Sequence, residues 1–424
     1  MDNRRIIQQS LDYIEDHLQT EISAAELAEV AGFSLFHYYR LFQQATGLPV
    51  MQYILRRRLL HGIYAMAQGS SKTDAAFDYG FDTYSGFYKA FCREFGSTPS
   101  DFLQFCRAKR PYRIDITKEE FMSVTHKKAA RILENWNLSG ETLQDIYYEG
   151  TGNKSENAFY VGEHYVLKYT ANFGKLQKSM EVSKALADIG LLSAVPVPTA
   201  DGKEYIREGE LYFHLTRRLP GKQMVSHRFG RGDGRFVGEI LGQLHLALQT
   251  VNDCVSEADL LGTVRDWALP KAKEALHLSD AFCDDYLKMF TQLYPNLPRQ
   301  IIHRDPNPGN IICADDQWGF IDFELAERNV RIYDPCYAAT AVLSETFGRD
   351  NEGWLEIYRD IICGYDSVAK LSETERKAIP YVILANQFVC VAWFSEQEKY
   401  VEIFETNKKM TAWLMEQFAK LGEI

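Results

Sequence analysis

The sequence predicts a multidomain chain: an all-α N-terminal domain made of two helix-turn-helix copies, followed by a larger α+β domain. Three observations predict it. The pattern Ala-x-x-x-Gly-Phe occurs at Ala28/Gly32/Phe33 and returns at Ala76/Gly80/Phe81, each copy set in helical apolar periodicity. Alternating apolar stretches joined by turn residues begin near Ile146 and read as strands. At 424 residues the chain is longer than one core usually organises, domains running to roughly 100–200 residues.

Composition narrows the class. With 46% hydrophobic and 25% charged residues the chain reads as globular, without long disordered tracts. Residues 1–110 carry 12 Lys+Arg against 12 Asp+Glu, so the whole net charge of -11 lies beyond residue 110. A local basic face can therefore still meet nucleic acid. The eight cysteines are scattered without a Cys-x-x-Cys pair, which argues against a zinc site or disulfide frame and for reduced core thiols. The segment Met1–Ile6 lacks the apolar run of a signal peptide, and no apolar stretch is read as long enough to span a membrane. The expectation is a cytoplasmic protein with no membrane partner.

Residues 1–110 open on an amphipathic helix through Ile6, Ile7, Leu11, Ile14 and Leu18. Ser23 with Glu26 predicts a capping box, Gly32 a left-handed turn, and Ser34 the cap of a reading helix running to Gln44. The second copy repeats this at a spacing of 48–49 residues, after a long helix through Tyr53, Ile54, Leu59 and Ile63. Two such helices on one module suit successive major-groove segments about 34 Å apart.

This block, ending in Phe95-Gly96-Ser97-Thr98-Pro99, resembles the DNA-binding domain of the AraC/XylS family of bacterial transcription regulators. The resemblance implies double-stranded DNA as partner. It implies Phe36, Tyr39 and Arg40 in the first reading helix, and Tyr84, Ser85 and Lys89 in the second, as the groups reaching DNA. Gly62 and Ala75 depart from the family's usual Ala and Ile and are expected to soften the domain. Tyrosines in place of Arg, Gln or Asn shift selectivity toward phosphate contacts and DNA shape. Of Arg56, Arg57 and Arg58, one is expected to face the core edge or a carboxylate, and at most two to reach phosphate.

Pro111 marks a boundary, and residues 111–145 read as a helical linker, helical over 117–139 and ending at Asn137-Leu138-Ser139-Gly140. Residues 146–220 then read as a small lobe. A hairpin spans 146–161, where Gly150 and Gly152 allow backbone amides to approach a phosphate. Lys168 follows in the next strand as a phosphate-pairing lysine, with Glu181 on the following helix as its ion-pair partner. The segments Val195–Pro198, Lys203–Ile206 and Leu211–Thr216 supply further strands, and Leu219-Pro220-Gly221 a turn.

Residues 221–424 read as a large lobe organised on Ile301-Ile302-His303-Arg304-Asp305-Pro306-Asn307-Pro308-Gly309-Asn310 and Ile321-Asp322-Phe323-Glu324. A carboxylate and an amide five positions apart, with a second carboxylate twelve positions later, form a phosphoryl-transfer layout. The assignment expected from it is Asp305 as base, with Asn310 and Asp322 on the metal. The spacing resembles the aminoglycoside phosphotransferase and choline kinase family of small-molecule kinases. That resemblance implies a protein-kinase-like bilobal fold, ATP and Mg2+ as cofactors and a small-molecule phosphate acceptor. It also makes Asp334 a structural aspartate and His245 a packing residue. Arg304, where the family usually has glycine, is read as local support. The helical, aromatic segment from Trp354 to Phe394 is expected to line the acceptor pocket.

The reading is a transcription regulator fused to an ATP- and Mg2+-dependent phosphotransferase that phosphorylates or senses a small hydroxyl-bearing ligand, with a homodimer left open. Two alternatives stand beside it. One is a catalytically silent kinase-fold sensor controlling DNA binding; the other is a phosphotransferase whose helix-turn-helix block only mediates assembly.

Overall fold

The computed structural model describes residues 3–95, 98–105, 111–117, 124–147, 154–230, 232–251, 255–314, 317–397 and 400–423. The chain divides into two compact units, Met1–Phe173 with Pro196–Arg218, and Gly174–Val195 with Leu219–Ile424.

The first unit begins with helices α1 (Asn3–Asp16), α2 (Ala24–Val30), α3 (Leu35–Thr46), α4 (Val50–Ala67), α5 (Lys72–Asp78), α6 (Tyr84–Phe95) and α7 (Pro99–Phe105). The two turns share the same backbone geometry as far as Phe33 and Phe81. Gly32 and Gly80 take φ of 72° and 79°, and Phe33 N donates to Ala28 O as Phe81 N donates to Ala76 O, each at 3.0 Å. The next cap is Ser34 in the first copy and Thr83 in the second, so the extra residue behind the 48–49 spacing, Asp82, falls in the second turn. Only half of the predicted capping box forms: Ser23 accepts from Glu26 N, while the Glu26 carboxylate accepts from Tyr13 Oη at 2.8 Å.

Each helix-turn-helix has its own core. Ile7, Leu11, Ile14, Tyr38, Phe42, Tyr53 and Ile54 fill the first, and Leu59, Ile63, Phe87, Phe91 and Phe95 the second. Gly62 is a fit rather than a weakness, because a Cβ there would stand 2.7 Å from the Phe87 ring. The three consecutive arginines all turn to protein partners: Arg57 lies buried on Glu15, Arg56 pairs with Glu94 at 3.4 Å, and Arg58 donates to Thr20 O.

The predicted helical linker is helical only in part. Residues 111–117 form neither helix nor strand, residues 118–123 of the expected helix lie outside the described residues, and α8 (His126–Ile132) continues as a 3-10 turn over Leu133–Trp136 that stops at Asn137, φ 58°. These helical residues pack on a five-stranded sheet of order β1-β2-β3-β6-β5. Its strands are β1 (Leu143–Tyr147), β2 (Lys154–Val161), β3 (Tyr165–Thr170), β5 (Ile206–Glu208) and β6 (Leu211–Arg217). The expected strand at Val195–Pro198 is reduced to one bridge, Pro196 to Thr216, since proline has no N–H for a ladder.

The second unit holds nearly all of α9 (Phe173–Asp188), then β4 (Leu192–Ser193), β7 (Lys222–Gln223) and α10 (Asp233–Leu248). Helices α11 (Leu260–Thr263), α12 (Leu269–Leu276) and α13 (Asp280–Leu293) lead to β8 (Arg299–Ile302), β9 (Ile311–Cys313), β10 (Trp318–Phe320) and β11 (Glu327–Val330). The helices α14 (Tyr333–Thr346), α15 (Asn351–Val368), α16 (Glu373–Ser395), α17 (Val401–Glu416) and α18 (Phe418–Leu421) close the chain. One large core joins them. Trp354, Tyr358 and Tyr365, expected to line an acceptor pocket, are instead buried in that core at 1% exposure or less. Contrary to the sequence expectation, α16 is long and apolar enough to cross a membrane by length and composition. Its most apolar window is 67% buried in the protein, and the helix contains Pro380 and the buried polar residues Glu375, Asn386 and Gln387.

Candidate functional site

Strand β8 runs apolar and buried through Ile301 and Ile302 and delivers the chain into the loop His303–Asn310. Arg304 there has φ 77°, a conformation side chains rarely adopt, which is why glycine is the easier residue at this place. Arg304 is held by its own contacts. Its backbone N donates to Asp334 Oδ1 at 2.9 Å, its Nε pairs with Glu327 at 2.8 Å, and its guanidinium sits 4.3 Å over the Tyr333 ring.

A buried polar chain supports the loop from below. Asp334 Oδ2 accepts from His303 N at 2.7 Å and from His245 Nε2 at 3.0 Å, while His245 Nδ1 lies 2.7 Å from the Tyr365 hydroxyl. His245 and Asp334 are thus packing and structural groups, as expected from the sequence. His303 braces the far side: its Nε2 donates to Ile321 O at 3.0 Å, and its Nδ1 accepts from Asp305 N at 3.3 Å. Those two roles require the neutral ring with its proton on Nε2.

The β9–β10 hairpin places the second carboxylate. Ile311 faces Phe320 in the ladder, and Ile321 N donates to Asn310 O at 3.0 Å, so Asp322 emerges beside Asn310 although twelve residues separate them. Asp322 has φ 73°, a second left-handed non-glycine residue at the site. Asn310 Nδ2 donates to Asp305 O at 2.9 Å and lies 3.3 Å from Asp305 Oδ2. With its nitrogen so used, its oxygen is the end left for a cation.

Asp305 is half-buried, and burial pushes its carboxyl above the usual carboxylate range. The Asn307 amide, donating to Oδ1 at 2.9 Å, and the Tyr337 hydroxyl work against that rise, while the Asp322 charge adds to it. Two neighbouring carboxylates, one with its proton affinity raised, give a base beside a metal-type oxygen set. Sequence reasoning missed Asn307 and Tyr337. Asn307 stands two residues after Asp305 in a polar loop, a position that hints at such a bond, whereas Tyr337 shows only as one helical turn beyond Asp334.

The predicted small-lobe side chains lie on β3 and α9. Lys168 lies on β3 between Ala158 and His214 in the first unit, and Glu181 on α9 in the second, where it accepts from Gln177 Nε2 at 2.8 Å. Gly150 and Gly152 lie outside the described residues. On the helical domain, Phe36 is 81% exposed, Arg40, Ser85 and Lys89 are exposed, and Tyr39 and Tyr84 are half-buried. Among the described residues Arg40 and Lys89 make no ion pair. The Lys72 ammonium lies 5.7 Å from the Tyr84 ring, a cation at the second reading helix that the sequence reading passed over.

Comparison with known proteins gives two matches. Residues 27–104 match a helix-turn-helix domain of the AraC type, and residues 150–371 match the phosphotransferase enzyme family, more than half of the 424 residues. The uncharacterized HTH-type transcriptional regulator YbfP of Bacillus subtilis is 31% identical over 137 residues, covering 32% of this chain and 43% of the relative. The transcriptional regulator Rob of Salmonella typhimurium is 27% identical over 158 residues, covering 35% and 55%. The chain thus spans about half the length of these curated relatives. Among solved structures, a microcompartment-associated aminopropanol kinase aligns with a TM-score of 0.52 at 15% identity over 70% of this chain and 98% of that one. A spectinomycin phosphotransferase in complex with ADP and spectinomycin aligns at 0.51 and 12% identity over 69% and 98%. These last two similarities concern the fold.

Proposed function

Because the chain belongs to the phosphotransferase enzyme family, we propose that it is a cytoplasmic bacterial transcription regulator fused to an ATP- and Mg2+-dependent phosphotransferase acting on a small hydroxyl-bearing acceptor. The observation that carries the reading is the grouping of Asp305, Asn310 and Asp322 on one loop and one hairpin end within a single unit. ATP supplies the phosphoryl group when bound, and Mg2+ offsets phosphate charge. Asp305 takes the proton of the acceptor hydroxyl, and its raised proton affinity makes it the stronger base. Asn310 through its amide oxygen and Asp322 through its carboxylate would hold the cation. Lys168 would bind phosphate oxygens, and Glu181, Gly150 and Gly152 remain the further nucleotide-binding residues expected from the sequence. The ADP in the spectinomycin enzyme supports a nucleotide as donor.

Only twelve positions separate Asp322 from Asp334, which leaves no room for a peptide-docking segment and favours a small acceptor. On the helical domain Phe36, Tyr39 and Arg40 with Tyr84, Ser85 and Lys89 contact double-stranded DNA, the two cations through phosphates. The test is a screen of hydroxyl- and amine-bearing metabolites and antibiotics for ATP consumption by the whole chain, with Asp305→Asn as blank. Turnover that Asp305→Asn leaves intact, or none with any acceptor, defeats the enzymatic half.

A further inference from the structure

Residues 111–117 belong to no helix or strand, yet the first helix-turn-helix holds them firmly. Gln8 of α1 grips them as a neighbouring strand would: its Nε2 donates to Ile114 O at 2.9 Å, and its Oε1 accepts from Ile116 N at 2.8 Å. Arg57 of α4, already buried on Glu15, donates to Tyr112 O at 2.7 Å. Arg113 pairs with Asp16 at the end of α1. Ile114 and Ile116 are 3% and 0% exposed and belong to the core that also seats α3. The second helix-turn-helix has a separate core to which this segment contributes nothing among the described residues.

Val124 and the helical residues that follow it, Ala129 to Trp136, belong to a different core, that of the five-stranded sheet. Thr117 and Val124 are seven residues apart, so the chain between them reaches at most about 25 Å. One end of a short tether is therefore fixed to the phosphotransferase part, and the other completes the core under one reading helix only.

We infer that residues 111–117 are a strap by which the ligand state of the phosphotransferase part sets the DNA affinity of the first reading helix. This rests on the proposed function. Undocking withdraws two isoleucines from the α1–α3 core, breaks both Gln8 bonds and removes one acceptor from a buried guanidinium. Local opening of that core loosens α3 and leaves α6 on its own packing. A ligand shifts the strap only by binding its docked and undocked states unequally, so the response is a change in DNA affinity at fixed salt.

The test uses the full chain and Gln8→Ala, which deletes both bonds and leaves the apolar core intact, with Ile116→Ser as the harsher variant. AMP-PNP with Mg2+ should change the wild-type affinity for DNA by at least about fivefold, the lower end of ordinary coupling. Gln8→Ala should reduce that response to less than about twofold. It should also lower hydrogen-exchange protection over residues 24–46 about tenfold while leaving 72–95 unchanged. A full nucleotide response in both variants, or equal loss of protection in both helix-turn-helix copies, overturns the strap. A wild type that turns over ATP and binds DNA with no nucleotide effect overturns the strap and leaves the proposed function standing. A protein that binds neither nucleotide nor DNA overturns both.

Discussion

Replacing Asp334 by Asn probes the support under the Asp305 loop most directly. The wild-type carboxylate is fully buried and accepts from His303 N at 2.7 Å, His245 Nε2 at 3.0 Å and Arg304 N at 2.9 Å. Asparagine keeps one oxygen. Turned toward His303 and His245, it sets an N–H donor against the Arg304 N–H donor. The lost charge-assisted bond is worth about 1.5–3 kcal/mol, and the two remaining bonds weaken to neutral ones at roughly 0.5–1 kcal/mol each. The total is about 2.5–5 kcal/mol, which for a part of this size lowers its melting temperature by roughly 5–20 °C. Turnover should fall further than stability, since displacement of Asp305 by about 1 Å costs on the order of 100-fold. Thermal unfolding by circular dichroism, paired with ATP consumption at a temperature where the variant is folded, measures both. A melting temperature within about 2 °C of wild type together with undiminished turnover refutes the argument.

Other outcomes follow from the same geometry. The folded Asp305 pKa is raised, so its contribution to stability is full below about pH 4 and is lost as pH rises through the raised value. The acid limb of kcat should accordingly lie above the ordinary carboxylate range, and a limb at or below about pH 4 contradicts the burial argument. For Glu15, burial pushes the pKa up, but hydrogen bonds from His61 and Arg57 outweigh it and hold the group below its usual value. Glu15→Gln should cost about 3–5 kcal/mol at pH 7 by leaving Arg57 unpaired, read by urea unfolding of the helical part. That gap should close as pH falls below about 4.5 through the depressed pKa; a gap independent of pH speaks against the pair. Arg40→Ala combined with Lys89→Ala should reduce the slope of log K against log salt by about 2 if each neutralises one phosphate, and an unchanged slope removes them from the DNA contact set. Gly221→Ala should destabilise by at least about 2 kcal/mol in denaturant titration, because φ is 107° there and a Cβ would stand 2.1 Å from Cys313 O.

The parts of the fold most legible in the sequence are those written in local chemistry. Gly32 and Gly80 announce their turns because only a residue without a Cβ takes those φ values cheaply, and Ser34 announces the helix that follows the first. Asp305 and Asn310 are legible as neighbours because the expected phosphoryl-transfer layout fixes both residue type and order, and they lie 3.3 Å apart. Features set by distant partners are not. Gly62 looks like a defect until the Phe87 ring is seen against it, and the Trp354, Tyr358 and Tyr365 side chains suit a pocket or a core equally well by composition. The apolar run of α16 is interrupted by Glu375, Pro380, Asn386 and Gln387, which hides its length from a reading that looks for unbroken hydrophobic sequence. Arg304 could be singled out as unusual, but its φ and its Tyr333 and Glu327 partners depend on the tertiary structure.

The pairing of Ile311 with Phe320 has a consequence for how such sites vary. The ladder positions Asp322 relative to Asn310, and where the two strands end Ala314 N donates to Gln317 O at 2.8 Å. Lengthening the connection between the strands by two or three residues would leave both side chains where they are. Deleting a single residue from either strand would swing the carboxylate to the opposite face of the ribbon. Pattern searches that demand a fixed count between the two positions will therefore overlook working relatives, whereas searches that require matched strand ends will retain them.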